Sequence, residues 1–202
     1  LKIPPTKSAL LRLESQVEFL EQGHTLLERK KELITRLVYE RLADYRKLRS
    51  QARKSLEDAY HWLSVAHMRM GSTRLRLHAL GMPQAIKVNI LPRSHLGVEY
   101  PSVQAEKLPL APVALSGSDS SLDEARTRLA DMAVLLAKLG EAEIALWRLL
   151  EEQRKTQKRV NALKYNVIPK YRTTIKFIQS SLEEEERNTL FQIKVLREQK
   201  RI

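Results

Sequence analysis

The chain has 202 residues, no cysteine and a formal net charge of +12. Leu, Ala, Glu, Lys and Arg dominate its composition and only 5% of the residues are aromatic, which is typical of long helices rather than of a large globular core. The absence of cysteine excludes disulfides and thiolate metal sites. Because no run of about 18 apolar residues occurs, the sequence predicts no membrane-spanning helix.

Apolar side chains recur through the first part of the chain at alternating steps of three and four residues. This stripe runs from Leu10 to Leu80, with one additional four-residue step after Ala52. The period is that of a coiled coil, and such a slip relaxes the supercoil locally. Gly81 is typical of a helix end. We therefore predict a first long helix within residues 1–80.

The next segment, residues 81–120, has a different composition and is rich in proline. The stretches "IKVNIL" (86–91) and "GVEYPSV" (97–103) are short and rich in β-branched residues. The intervening "PRSHLG" carries turn residues. These features predict a small β-hairpin.

The last segment, residues 121–202, returns to the helical pattern. "SLDE" (121–124) predicts a capping box in which Ser121 caps a second long helix. The apolar stripe spans residues 132–167, and "EEEE" (183–186) interrupts its continuation. We predict an all-α protein, a long antiparallel two-helix coiled-coil hairpin with a small β-hairpin head between the helices.

Placing residue 80 opposite residue 121 predicts which side chains meet across the two helices. Pro169 then lies near Lys31 and Glu32. The same register makes Leu10 and Leu13 face two apolar residues of the last helix, Leu190 and Ile193.

Pro169 stands inside a helical pattern. A proline there removes the hydrogen bond to the Tyr165 carbonyl and clashes with it, at a cost of about 3 kcal/mol. One hypothesis is that Pro169 sets a functional kink in the helix. The alternative is a mild kink that neighbouring side chains tolerate without consequence.

The sequence contains no catalytic, cofactor-binding or metal-binding pattern. Its five histidines are best interpreted as scattered structural or surface residues: His24, His61, His67, His78 and His95. We therefore expect no cofactor and no enzymatic activity of the chain itself. Trp62 and Trp147 lie one place off the apolar stripe, so they either thicken the core or anchor a partner.

Ten of the twelve excess positive charges lie in the terminal segments, residues 1–55 and 164–202. Such a distribution raises the alternative of a basic helical hairpin that binds nucleic acid. A coiled coil at a membrane surface is a further alternative. Sparse aromatics and interleaved glutamates argue against nucleic acid.

Three stretches together resemble the D subunit of the V-type and archaeal-type rotary ATPases. They are "IPPTKSALLRLESQVEFLEQGHTLLERKKELI" (3–34), "LGVEYPSV" (96–103) and "KRVNALKYNVIPKYRTTIKFIQSSLEEEERN" (158–188). The first contains the family's Pro-Thr-Lys, here ending at Lys7. Lys164 departs from the family pattern, in which an acidic residue is common at that place.

The resemblance implies a non-catalytic central-stalk rotor subunit that couples ATP synthesis or hydrolysis to ion translocation. Its implied partners are a hexamer of catalytic and non-catalytic subunits (A and B type), the small F subunit of the stalk, and a funnel-shaped subunit on the membrane rotor ring. The implied location is cytoplasmic and peripheral to a membrane, without insertion into it. Residues 1–80 and 121–202 would form the shaft, and residues 81–120 the head.

The resemblance also implies that both chain termini enter the hexamer. Candidate contact residues at that end are Lys7, Leu10, Leu13, Lys194, Arg197, Lys200 and Arg201. A basic tip held by diffuse charge would turn more easily than one held by interlocking apolar packing.

Overall fold

The computed structural model describes residues 3–112 and 118–199. Its elements are helix α1 (Lys7–Met70), helix α2 (Ser72–Leu80), strand β1 (Ile86–His95), strand β2 (Val98–Lys107), helix α3 (Ser120–Ala162), a π-helical turn (Leu163–Val167) and helix α4 (Ile168–Gln199). This confirms the predicted all-α architecture with a small β-hairpin.

The chain divides into two compact units. The terminal unit contains the residues up to Leu33 and those from Gln153 onward. The middle unit is Ile34–Glu152. Helix α1 contributes to both units, and so does α3.

Burial along α1 follows the predicted apolar stripe. The buried hydrophobic residues of this helix all occupy stripe positions: Leu13, Val17, Ile34, Val38, Ala52, Ala59, Ala66 and Met70. In the middle unit, Ile34 and Val38 form a core with Leu146 and Leu149 of α3. The period of the sequence therefore identified the face of α1 that packs.

The helical stretch predicted to stop at Gly81 does end at Leu80, but it is divided into α1 and α2. Gly71 breaks it with φ 75° and ψ 160°, a conformation that glycine adopts without steric cost. The stripe positions Leu77 and Leu80 lie beyond this break and are 64% and 80% exposed. An ion pair between Arg69 and Asp119, 3.3 Å, connects the end of α1 to the start of α3. The predicted pairing of residue 80 with residue 121 is therefore wrong.

The β-hairpin is confirmed, but its turn occupies only the last two residues of the predicted turn segment. The turn is Leu96–Gly97, and both residues have positive φ, 53° and 76°, as a two-residue hairpin turn requires. The segment from Pro92 to His95, predicted as turn, belongs to β1. Pro92 lies opposite Pro101, at a pair whose nitrogens point away from the partner strand, so neither proline breaks the ladder.

The hairpin packs along α3 within the middle unit. Val98, next to the turn, is buried in the core beside Leu146 and Leu149. Farther along β2, the Val103 amide donates to Glu141 Oε2, 2.9 Å. At the strand end, Lys107 Nζ lies 2.7 Å from Asp131 Oδ1. Strand β2 therefore runs antiparallel to α3.

Asp119, not Ser121, caps α3. The helix begins at Ser120, and the Asp119 carboxylate accepts hydrogen bonds from the Ser121 hydroxyl and amide. The hydroxyl bond, aided by Arg69, holds the pKa of Asp119 below its ordinary value. Ser121 is buried inside the helix. The predicted capping box is therefore wrong by two residues, because Asp119 directly precedes the helix and accepts from its first turn, where Ser121 already lies.

The cap gives a stability prediction. Asp119→Ala should lower the melting temperature of the chain at neutral pH by roughly 2–4 °C, because it leaves helix amides unsatisfied. Asp119→Asn keeps a capping oxygen and should lose less. Because folding depresses this pKa, the stabilisation is present above the ordinary carboxyl pKa and disappears as pH falls through the depressed value. Equal melting of Asp119→Ala and the parent at neutral pH would contradict the assignment.

Candidate interaction surfaces

Three polar contacts fix the register of the helices in the terminal unit. Lys7 Nζ lies 2.7 Å from Glu186 Oε1, and Arg172 Nη2 lies 2.7 Å from Glu21 Oε1. Between them, Gln179 donates to Glu14, 3.3 Å. Because these pairs descend along α4 as they ascend along α1, the two helices are antiparallel.

This register differs from the predicted one. Since Lys7 is opposite Glu186, Leu190 and Ile193 lie beyond the start of α1 and do not face Leu10 and Leu13. Since Glu21 is opposite Arg172, Pro169 lies level with the turn around His24, not with Lys31 and Glu32. The predicted register was anchored at residue 80, which lies beyond the break at Gly71.

The end of α4 projects past the start of α1. The helix continues thirteen residues from Glu186 to Gln199, about 20 Å at the α-helical rise. Every side chain described from Glu183 to Arg197 is exposed. Apolar residues are among them, including Leu190 and Phe191, 63% and 68% exposed. This projecting segment, residues 187–199, is named the α4 tip.

The hexamer-contact candidates divide by exposure. Lys7, Lys194 and Arg197 are exposed, Leu10 is half-buried and Leu13 is buried. Leu13 therefore packs within the terminal unit and leaves little surface for a partner. Lys200 and Arg201 lie outside the described residues.

Exposed basic residues fill a long segment that sequence reasoning missed. From residue 153 to 182 the chain has no Asp or Glu. All of its basic residues are exposed: Arg154, Lys155, Lys158, Arg159, Lys164, Lys170, Arg172 and Lys176. The charge count over residues 164–202 did not isolate this basic segment, because it began after Arg159 and included the acidic residues 183–186.

Pro169 is the second residue of α4, and α4 directly follows the π-helical turn. In that turn the Ile168 amide donates to the Leu163 carbonyl, five residues back. Just after the turn, two backbone carbonyls accept hydrogen bonds from threonine hydroxyls. Thr173 donates to Pro169 O at 2.9 Å, and Thr174 donates to Lys170 O at 2.8 Å. Hydroxyl bonds of this kind tend to bend helices. A functional kink at Pro169 stays a prediction.

The two tryptophans have different environments. Trp62 is half-buried, and its ring meets that of His61 edge-on at 6.1 Å between centroids. Trp147 is 69% exposed on α3 of the middle unit. Leu136 and Ile144 are also exposed on this helix, and they lie with Trp147 on one helical face. We name these three residues the Trp147 stripe.

Within the described ranges, no three histidine or acidic side chains are close enough to hold a metal ion. Among the helices so described, none is both long and apolar enough to cross a bilayer. Three exposed surfaces described above are candidates for binding a partner: the α4 tip, the basic segment and the Trp147 stripe.

Comparison with known proteins covers almost the whole chain. The family model for the D subunit of ATP synthase matches residues 9–198. The chain is 34% identical over 199 residues to the V-type ATP synthase D subunit of Thermotoga neapolitana, covering 98% of each. It is 32% identical to the A-type ATP synthase D subunit of Pyrococcus furiosus, covering 96% of this chain and 92% of the relative. The resemblance drawn from three stretches is confirmed: the chain belongs to the family of ATP synthase D subunits.

Proposed function

We propose that this chain is the central-stalk shaft of a V-type or A-type rotary ATPase, a non-catalytic subunit that transmits torque between a catalytic hexamer and a membrane rotor ring. The α4 tip carries the proposal. An uncovered helix with exposed Leu190, Phe191 and Leu196 requires a surrounding surface. For a member of this family, a hexamer can supply that surface around the tip.

The division of labour follows from the arrangement of the chain. Residues 1–80 and 121–202 act as shaft and residues 81–120 as head. ATP chemistry belongs to the hexamer, so this chain needs no cofactor. Its location is the cytoplasmic side of a membrane, where the head end meets the funnel-shaped subunit on the rotor ring.

The two charged surfaces fit the hexamer end of the shaft. The basic segment and the tip residues Lys194 and Arg197 present positive charge over much of the terminal unit. Acidic or polar groups in the hexamer would attract this charge, and exposed ion pairs exchange partners at little cost. The same charge could bind nucleic acid, but family membership over nearly the whole chain favours the rotary complex.

The Trp147 stripe fits the small F subunit of the stalk. Exposed tryptophan is enriched at the energetic centre of interfaces, and here aliphatic residues extend the apolar area around it. Trp62 is half-buried against its own unit and is the weaker anchor candidate.

The direct test of assembly is native mass spectrometry of this chain mixed with its matching hexamer and F subunit. We expect one copy of the chain and one F subunit per hexamer. A homodimer with neither partner bound, or a complex formed only with added RNA, would overturn the proposal.

Trp147→Ala should weaken binding of the F subunit by roughly 30-fold or more, because a buried aromatic anchor would be lost. The melting temperature of the free chain should change little, since the side chain is mostly exposed. The matched control is Tyr60→Ala, another exposed aromatic residue of the middle unit. Equal affinity of the two variants for the F subunit would remove Trp147 from the interface.

Neutralising Lys194, Arg197, Lys200 and Arg201 to Gln should weaken hexamer binding by roughly tenfold at low salt, and the loss should shrink as salt rises. The control neutralises four exposed basic residues of the middle unit, Arg74, Arg76, Lys87 and Arg93. Binding titrations across a salt series separate the two variants. Indistinguishable salt dependence for both would rule out an electrostatic role for the tip.

A further inference from the structure

The π-helical turn coincides with an irregular step in the spacing of the inward-facing residues along α3 and α4. Core-facing positions follow steps of three and four residues along α3 through Thr156 and Val160 to Leu163, the first residue of the π turn. After the turn, the pattern continues from Ile168 through Tyr171 and Ile175 to Ile178 in the same steps. From Leu163 to Ile168, the next fully buried position, the step is five, with Val167 half-buried between them. The π-type hydrogen bond joins Leu163 and Ile168.

A step of five is one residue more than a coiled coil accommodates. In an uninterrupted α-helix the heptad from Leu163 would continue through Lys170 and Phe177. These two side chains are instead exposed, and Ile178, with 0% exposure, takes the buried position. The extra residue of the π turn therefore decides which face of α4 packs in the terminal unit.

Pro169 fits the same turn. A proline in an α-helix clashes with the carbonyl four residues before it and cannot donate to it. A wider turn immediately upstream relieves this clash, since the local hydrogen bonds there span five residues. If the extra residue moved farther along α4, Pro169 would return to a regular α-helical turn. Its ring therefore disfavours such movement.

We propose that the π turn and Pro169 form one register device. The turn adds one residue, so that Tyr171 and Ile178 face inward in place of Lys170 and Phe177. The proline holds that residue between Leu163 and Ile168. If the chain is a shaft, which is the function proposed above, the device keeps the extra residue from travelling along α4 under torque.

The test compares the full chain with four variants: deletion of Asn166, Pro169→Ala, both changes together, and deletion of Lys176 as control. Asn166 is exposed in the π turn. Deleting Asn166 turns the step of five into a step of four and leaves the same residues facing the core. Lys176 is equally exposed but lies in regular helix, so its deletion should expose Ile178 and lower the melting temperature by roughly 5 °C or more.

The proline gives the sharper readout. Pro169→Ala should change the melting temperature of the parent by roughly 2 °C or less, because the π turn already accommodates the ring. Without Asn166 the proline lies in an uninterrupted α-helix, so the same substitution should raise it by roughly 6–12 °C. Equal effects in the two backgrounds would overturn the coupling of turn and proline.

A cross-link ladder reads the register directly, because the chain has no native cysteine. Glu21→Cys is combined with Arg172→Cys or Thr173→Cys and treated with a short bifunctional maleimide. In the parent and in the double variant we expect Arg172→Cys to react faster, since Glu21 and Arg172 are in contact. A switch to Thr173→Cys after deletion of Asn166 would mean that the turn is not a register insertion. Neither readout involves the hexamer, so it is independent of the proposed function.

Discussion

A narrow apolar stripe between antiparallel helices is the interaction on which the structure depends. In the terminal unit the stripe is one or two side chains wide, with Leu13 and Val17 on α1 and Thr156, Val160 and Ile178 on the return helices. Burial per residue is small in such an arrangement, so stability depends on every stripe position facing inward. A one-residue error rotates all following side chains by about 100°. Register is therefore the property that the sequence has to specify most strictly.

Polar contacts between the helices also specify the register. Lys7 and Glu186, and Glu21 and Arg172, are exposed pairs that contribute little stability but match one register. The hydrogen bond to Glu186 and the charge of that carboxylate raise the pKa of Lys7, and the reciprocal contacts lower that of Glu186. Each group therefore favours the charged form of the other. Beyond Glu186, α4 continues past the paired region as the α4 tip, which is the feature a surrounding partner would use.

Periodicity predicted the helices and their packed faces because each stripe residue repeats the same local signal. It could not predict features that depend on one residue's conformation. Gly71 ends α1 through a positive φ, and Leu96 adopts the turn conformation although leucine rarely does. Asp119 rather than Ser121 caps α3, because Asp119 directly precedes the first helical residue. The predicted pairing register was wrong because it was anchored at residue 80, which lies beyond the break at Gly71. Around Pro169, the irregular spacing was visible in the sequence, but the π turn that explains it was not.

The interaction surfaces could be predicted only in part, because exposure of Trp147 and burial of Leu13 depend on how the helices pack.

The central claim is that this chain turns inside the hexamer as a shaft. Ser94→Cys offers a single labelling site on the exposed strand β1, because the chain has no other cysteine. A bead attached there can be watched while the hexamer is fixed to a surface and supplied with ATP. The account predicts stepwise rotation in one direction that stops when ATP is withdrawn. A bound bead that stays still while the hexamer hydrolyses ATP would contradict it.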